Sequence, residues 1–263
     1  MGLDIFFMGI LGLIFGSFLN MLIYRLPLDI SLISPKRSIC PRCDYKIKWY
    51  ENIPLISYVL LNAKCSNCKE KISILYPIVE LLSGFFTVLI FIKFGFGYEF
   101  LFVILLVYLL LVLSFIDLKF KAVPDYLLIL STLITLIYII SFKVENIKYF
   151  FMFAGAIVFL EMFVTFYIQN IKARLLDDED LKDQKSLGEG DIPIVAIIGG
   201  MLGLKLGLIA IFLSAFLAII PALINLIIKK DIETPFIPFL TLGFMIVFLY
   251  DNIFLSFFDK VYG

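Results

Sequence analysis

A chain of 263 residues that is 62% hydrophobic, with 29 Phe, is more apolar than a soluble domain, which sits nearer half. Its mean hydropathy of +1.05 points the same way, so the bulk of the chain needs a lipid bilayer as solvent. The 22 basic and 22 acidic residues cancel, which gives no reason to expect a nucleic-acid partner. The lack of any histidine excludes His-based general bases, triads and metal centres.

Apolar runs long enough to cross about 30 Å of hydrocarbon as helices fall at 5–24, 77–94, 100–116, 124–142, 149–169, 191–206, 207–228 and 236–257. The fold class is therefore an all-α polytopic membrane protein with about eight transmembrane helices and a small cytoplasmic insert. The N-terminal run lacks a basic n-region and a small-residue cleavage site, and reads as a retained span. The boundary between the sixth and seventh spans is the faintest, and GLKLG at 203–207 is the natural place to turn. Lys and Arg set the orientation: 17 of the 22 lie in 25–76, 117–123, 170–190 and 229–235. Those segments are expected inside, with both termini outside. The chain then divides into a first span (1–24), a cytoplasmic module (25–76) and a seven-helix membrane domain (77–263).

The module holds all four cysteines, Cys40-Pro-Arg-Cys43 and Cys65-Ser-Asn-Cys68. Each C-x-x-C can set two thiolates on one turn where consecutive backbone amides meet them, and two such knuckles close a tetrahedral site that suits structural Zn²⁺. A module of this size has little core of its own and needs a staple. Two disulfides are the alternative, disfavoured in a reducing compartment. Four thiolates leave no open position for water, so the expected zinc-ribbon-like site is structural.

Carboxylates at membrane depth are costly and need an explanation. Asp117 ends the third span in FIDLKFKAVPD, and Asp191 opens the sixth in GEGDIPIVAIIGG; the expected topology puts both at the inner boundary. Two carboxylates converging there would share a proton, one acting as base on a water and the other polarising a carbonyl, with no need of histidine. Capping of two helix ends is the competing explanation, which GxGD alone does not remove. Gly188 and Gly190 would let a substrate backbone approach, while Gly199, Gly203 and Gly207 offer a smooth face for helix packing. Asp125 after Pro124 reads as a helix start. Glu80 could face the aspartate site, and Glu161, in mid-span, reads as a structural hydrogen-bonding group. A transporter with midplane carboxylates is the rival from another class, weakened by the span-end positions of Asp117 and Asp191.

Taken in order, GSFLNMLIYRLP, the paired C-x-x-C around WYENIPLISYVLL, YPIVELLSG, FIDLKFKAVPD, GEGD with its Gly-rich span, and PFIPFLTLG resemble the type IV prepilin peptidase family. The resemblance implies that Asp117 and Asp191 are the catalytic aspartates of a bacterial inner-membrane protease with its active site facing the cytoplasm. It implies that residues 77–263 are the aspartyl peptidase domain, and that the substrates are prepilins or pseudopilins, cut after Gly at the end of a short basic leader. Relatives with the cysteine insert also N-methylate the new terminus with S-adenosylmethionine, so 25–76 is expected to be methyltransferase-associated. No Gly-rich fingerprint marks a cofactor pocket, and Trp49 to Asn52 is the one suspected stretch. Many members carry Lys two residues after the second aspartate, where this chain has Ile192-Pro193. The acidic run Asp177-Asp178-Glu179-Asp180 with Asp183 reads as a solvated loop, or as a patch that steers a basic leader.

Overall fold

Small residues decide how the first helices pair. In the computed structural model, which describes residues 2–33, 38–176, 188–228 and 234–262, α1 (Gly2–Arg25) lies along α3 (Leu75–Phe94). The side-chain-free surfaces of Gly12 and Gly16 receive α3: a Cβ on Gly12 would stand 2.7 Å from Gly84 Cα, and one on Gly16 would stand 2.6 Å from Glu80 Cα. Such approach lets polar groups bond across the seam. The Ser83 hydroxyl donates to Gly12 O at 2.7 Å, and Asn20 Nδ2 donates to Tyr76 O at 3.0 Å.

Between these helices the chain leaves the helical pattern for the cysteine module and the short α2 (Ile56–Leu60). After α3, Gly95 with φ 68° turns the chain into α4 (Tyr98–Phe120), whose 23 residues reach about 34 Å at about 1.5 Å each. Thr87 Oγ1 and Tyr108 OH, 2.7 Å apart, tie α4 to α3. These elements form one compact unit, Met1–Pro124.

The second unit, Asp125–Gly263, is built on a broken helix. Helix α5 (Asp125–Phe142) begins at the expected Pro-Asp step. It is followed by α6 (Ile147–Phe166), a π-helical stretch (Tyr167–Lys172) and the short α7 (Ala173–Leu176). Helix α8 (Asp191–Ile228) breaks at Gly203, whose φ of 75° and ψ of −170° are non-helical. That is the turn expected at GLKLG, and the last carbonyls before it are capped from elsewhere. Asn146 Nδ2 donates to Gly200 O at 3.1 Å, and Lys143 Nζ to Met201 O at 3.4 Å. The smooth face works as expected at two of its three glycines: the Phe153 ring lies on Gly199 and Gly207.

The last expected span, 236–257, differs. Helix α9 (Ile237–Leu249) stops at Tyr250, and α10 (Asp251–Tyr262) starts anew. Asp251 and Asn252 interrupt the apolar run, and the Asp251 carboxylate accepts from the Asn252 amide at 2.9 Å. Among the described residues, six helices are long and apolar enough to span a membrane, with α9 a shorter apolar helix. The expected eight included the two halves of α8 and a longer final span.

If the α1–α3 seam depends on the absence of a side chain, Gly16→Val should lower stability by about 1–3 kcal/mol through overpacking. Thermal unfolding in detergent checks this. Gly155→Val, at a site with nothing within 4 Å, should leave the midpoint in place. Equal midpoints for the two variants would contradict the seam.

Candidate functional site

The two C-x-x-C segments fold into the same small loop twice. Cys40 N donates to Tyr45 O at 3.0 Å and Asp44 N to Cys40 O at 2.9 Å; Cys65 N donates to Glu70 O at 2.8 Å and Lys69 N to Cys65 O at 3.1 Å. Each loop is closed by a bridge, Ile39 with Lys46 and Lys64 with Lys71, and each needs one left-handed residue, Asp44 at φ 54° and Lys69 at φ 60°. The four Sγ atoms lie within 4.8 Å of one another, and Cys40 and Cys68 are 3.9 Å apart. Four thiolates about 2.3 Å from one ion stand about 3.8 Å apart, so the donor set and its spacing fit a tetrahedral zinc.

Hydrogen bonds to sulfur favour thiolates here. The Asn67 side-chain amide, 3.6 Å from Cys43 Sγ, and then the Tyr45 amide bring the Cys43 thiol down to about 7. The Cys68 and Asn67 backbone amides lower Cys65. Although the Glu70 amide favours the Cys68 thiolate, desolvation and donation to the other three sulfurs push that thiol up to about 12.

Beside this cluster lies a cavity of about 410 Å³. Its floor is α1 (Ser17, Asn20) and α3 (Tyr76, Glu80), its roof is the cysteine module, and Lys119 of α4 closes one side. The suspected WYEN stretch is divided: Glu51 and Asn52 line the cavity, while Trp49 points outward, 80% exposed.

Glu80, only 8% exposed, is turned to this cavity. Its Oε2 accepts from the Leu55 amide at 2.8 Å, and the Ser17 hydroxyl bonds to it as well. Asn52 Nδ2 reaches Ser17 Oγ at 3.3 Å, so the loop is fastened to both α1 and α3. Leu55 is held at φ 59° and ψ −48°, a conformation a branched residue avoids without outside support. From sequence, Glu80 was a candidate for the aspartate site. Its role as a loop anchor was hidden because the partner is a backbone amide 25 residues away.

The aspartates sit at helix ends. Asp117 is in the last turn of α4, where its carbonyl accepts from the left-handed Lys121 at 2.9 Å. It is 8% exposed and does not line the cavity. Asp191 is the first residue of α8, 7% exposed, and its amide donates to Gly188 O at 3.0 Å. Inside the second unit Ile139 packs on Gly200. Ile139 is fourteen residues into α5 and Gly200 nine into α8. Glu161 is half-buried in α6. The acidic run from Asp177 to Asp180, and Asp183, lie outside the described residues.

Two family models match the chain. The Bacterial Peptidase A24 N-terminal domain covers residues 10–94, and the Type IV leader peptidase family covers 104–223. The prepilin leader peptidase/N-methyltransferase of Myxococcus xanthus is 48% identical over 118 residues, 45% of this chain and 35% of that protein. The protein of the same name from Vibrio cholerae is 54% identical over 79 residues, 27% of this chain and 31% of its own. The chain thus spans about a third of the length of these two curated relatives. The Neisseria gonorrhoeae protein of that name is 28% identical across 91% of this chain and 88% of its own. No solved structure matches the chain at a significant level.

The purified protein should carry one zinc per chain by elemental analysis. Cys40→Ser and Cys65→Ser should each lower that content several-fold, and stripping the metal with a chelator should expose the module to proteolysis. Metal content unchanged in both serine variants would remove the site.

Proposed function

We propose, because two leader-peptidase models match residues 10–94 and 104–223, that the chain is a type IV leader peptidase, a membrane aspartyl endopeptidase. On this reading it removes the basic leader of prepilins or pseudopilins, cutting after Gly at the cytoplasmic face of the bacterial inner membrane. It then methylates the new N-terminal amine. The observation that carries the reading is a pair of aspartates, each under a tenth exposed and each at a helix end, in a chain without histidine.

The two helix ends suggest different duties. Asp191 stands at the amino end of α8, where aligned backbone dipoles favour negative charge; Asp117 stands in the last turn of α4, where they disfavour it. Asp191 is therefore assigned as the base that takes a proton from the attacking water, and Asp117 as the proton donor to the scissile carbonyl oxygen. As the tetrahedral intermediate collapses, the C–N bond breaks and the leaving amine takes up a proton. Gly188 and Gly190 keep the approach to Asp191 free of side chains.

The cysteine module is assigned to the methylation half. Cys40, Cys43, Cys65 and Cys68 would hold a structural zinc, which supplies folding energy to a module with little core of its own. S-adenosylmethionine would supply an electrophilic methyl group. The chain's task is to hold the freed amine against it with water excluded. The Ile192-Pro193 pair gives α8 a firm first turn in place of the Lys many relatives carry.

Leader cleavage of a prepilin-like substrate in liposomes tests the dyad. Asp117→Asn and Asp191→Asn should each reduce the rate by more than about a thousandfold, a loss of about 4 kcal/mol in transition-state stabilisation, with zinc content intact. Full cleavage by either variant would refute the aspartyl mechanism.

A further inference from the structure

The cavity under the cysteine module is lined by Lys119 of α4 but not by Asp117, which stands two residues earlier on that helix and about 200° around it. We propose that this cavity is the binding site for a sulfonium methyl donor of the S-adenosylmethionine class, and that Glu80 is its positioning residue. The proposal rests on the methyltransferase half of the function above and adds where that chemistry happens.

Four observations support it. The volume of about 410 Å³ falls among small-molecule cofactor sites, which run from about 300 to 1,000 Å³. Tyr24, Tyr45, Tyr58 and Tyr76 line the walls, offering flat faces and hydroxyls to an adenosine. The buried carboxylate of Glu80 faces the same space, giving a cationic sulfonium or ammonium a fixed negative neighbour. The wall beside it is a strained loop: Leu55 at φ 59° is held by the Glu80 carboxylate, and Asn52 by Ser17. Strain maintained by buried bonds is a mark of a site whose shape is used.

The transfer balances without a further reactant. The amine nitrogen of the freed terminus, having lost a proton to water, forms a bond to the methyl carbon. The C–S bond breaks with its electron pair left on sulfur as a thioether.

Irradiating the wild-type, zinc-loaded protein with S-[methyl-³H]adenosylmethionine should attach label to peptides from residues 17–25 or 49–80, displaced by unlabelled S-adenosylhomocysteine. Label confined to residues after 125 would overturn the proposal. Glu80→Gln, which removes charge, and Met21→Trp, which fills the cavity, should each weaken S-adenosylhomocysteine binding by at least about tenfold and lose methyl transfer, with leader cleavage retained. Wild-type affinity and methyl transfer in either variant would overturn the site while leaving the enzyme a methyltransferase. Cleavage by the wild type with no donor binding at all would sink both the site and the methyltransferase reading.

Discussion

The close approach of α1 to α3 is what the first unit depends on. With no side chain at Gly12 and Gly16, the two backbones come near enough for the Ser83 hydroxyl to reach across to a main-chain carbonyl of α1. In lipid, helix association gains nothing from burying apolar surface, so packing and such bonds must supply the attraction. The same seam sets Ser17 of α1 beside Glu80 of α3. Move the helices apart by one methyl group and that pair no longer meets.

From this pair the polar part of the unit is held to the membrane part. Glu80 binds the Leu55 amide, Ser17 binds Asn52, and the loop between the cysteine knuckles is fixed over the ends of both helices. Burying a carboxylate is tolerable here because its oxygens are hydrogen-bonded. The module itself is two copies of one knuckle, each with the same amide-to-carbonyl pattern, joined by four sulfurs and by Asn67 donating to Cys43. A cavity arises where this rigid roof meets the helix ends.

The second unit solves a different problem. A helix that stops inside a bilayer exposes carbonyls that water cannot satisfy. At the Gly203 break Asn146 and Lys143 satisfy two of them, and Phe153 fills the surface left by Gly199 and Gly207. The first segment of α8, from Asp191 to the break at Gly203, can then be short.

Much of this was legible in the chain alone. The span positions, the turn at GLKLG, the Pro-Asp start of α5 and the paired knuckles follow from local rules: apolar run length, glycine's access to positive φ, and fixed C-x-x-C spacing. Asp117 and Asp191 stood out because charge is rare beside lipid. What the sequence could not decide depends on groups far apart in the chain. The anchor from Glu80 to Leu55 joins a side chain to a backbone amide, which leaves no residue-type signal. The end of α9 at Tyr250 instead of 257 turned on two polar residues, Asp251 and Asn252, that a hydropathy window averages away. The cavity is a space between elements, and only their packing, set by two glycines on one helix, could create it.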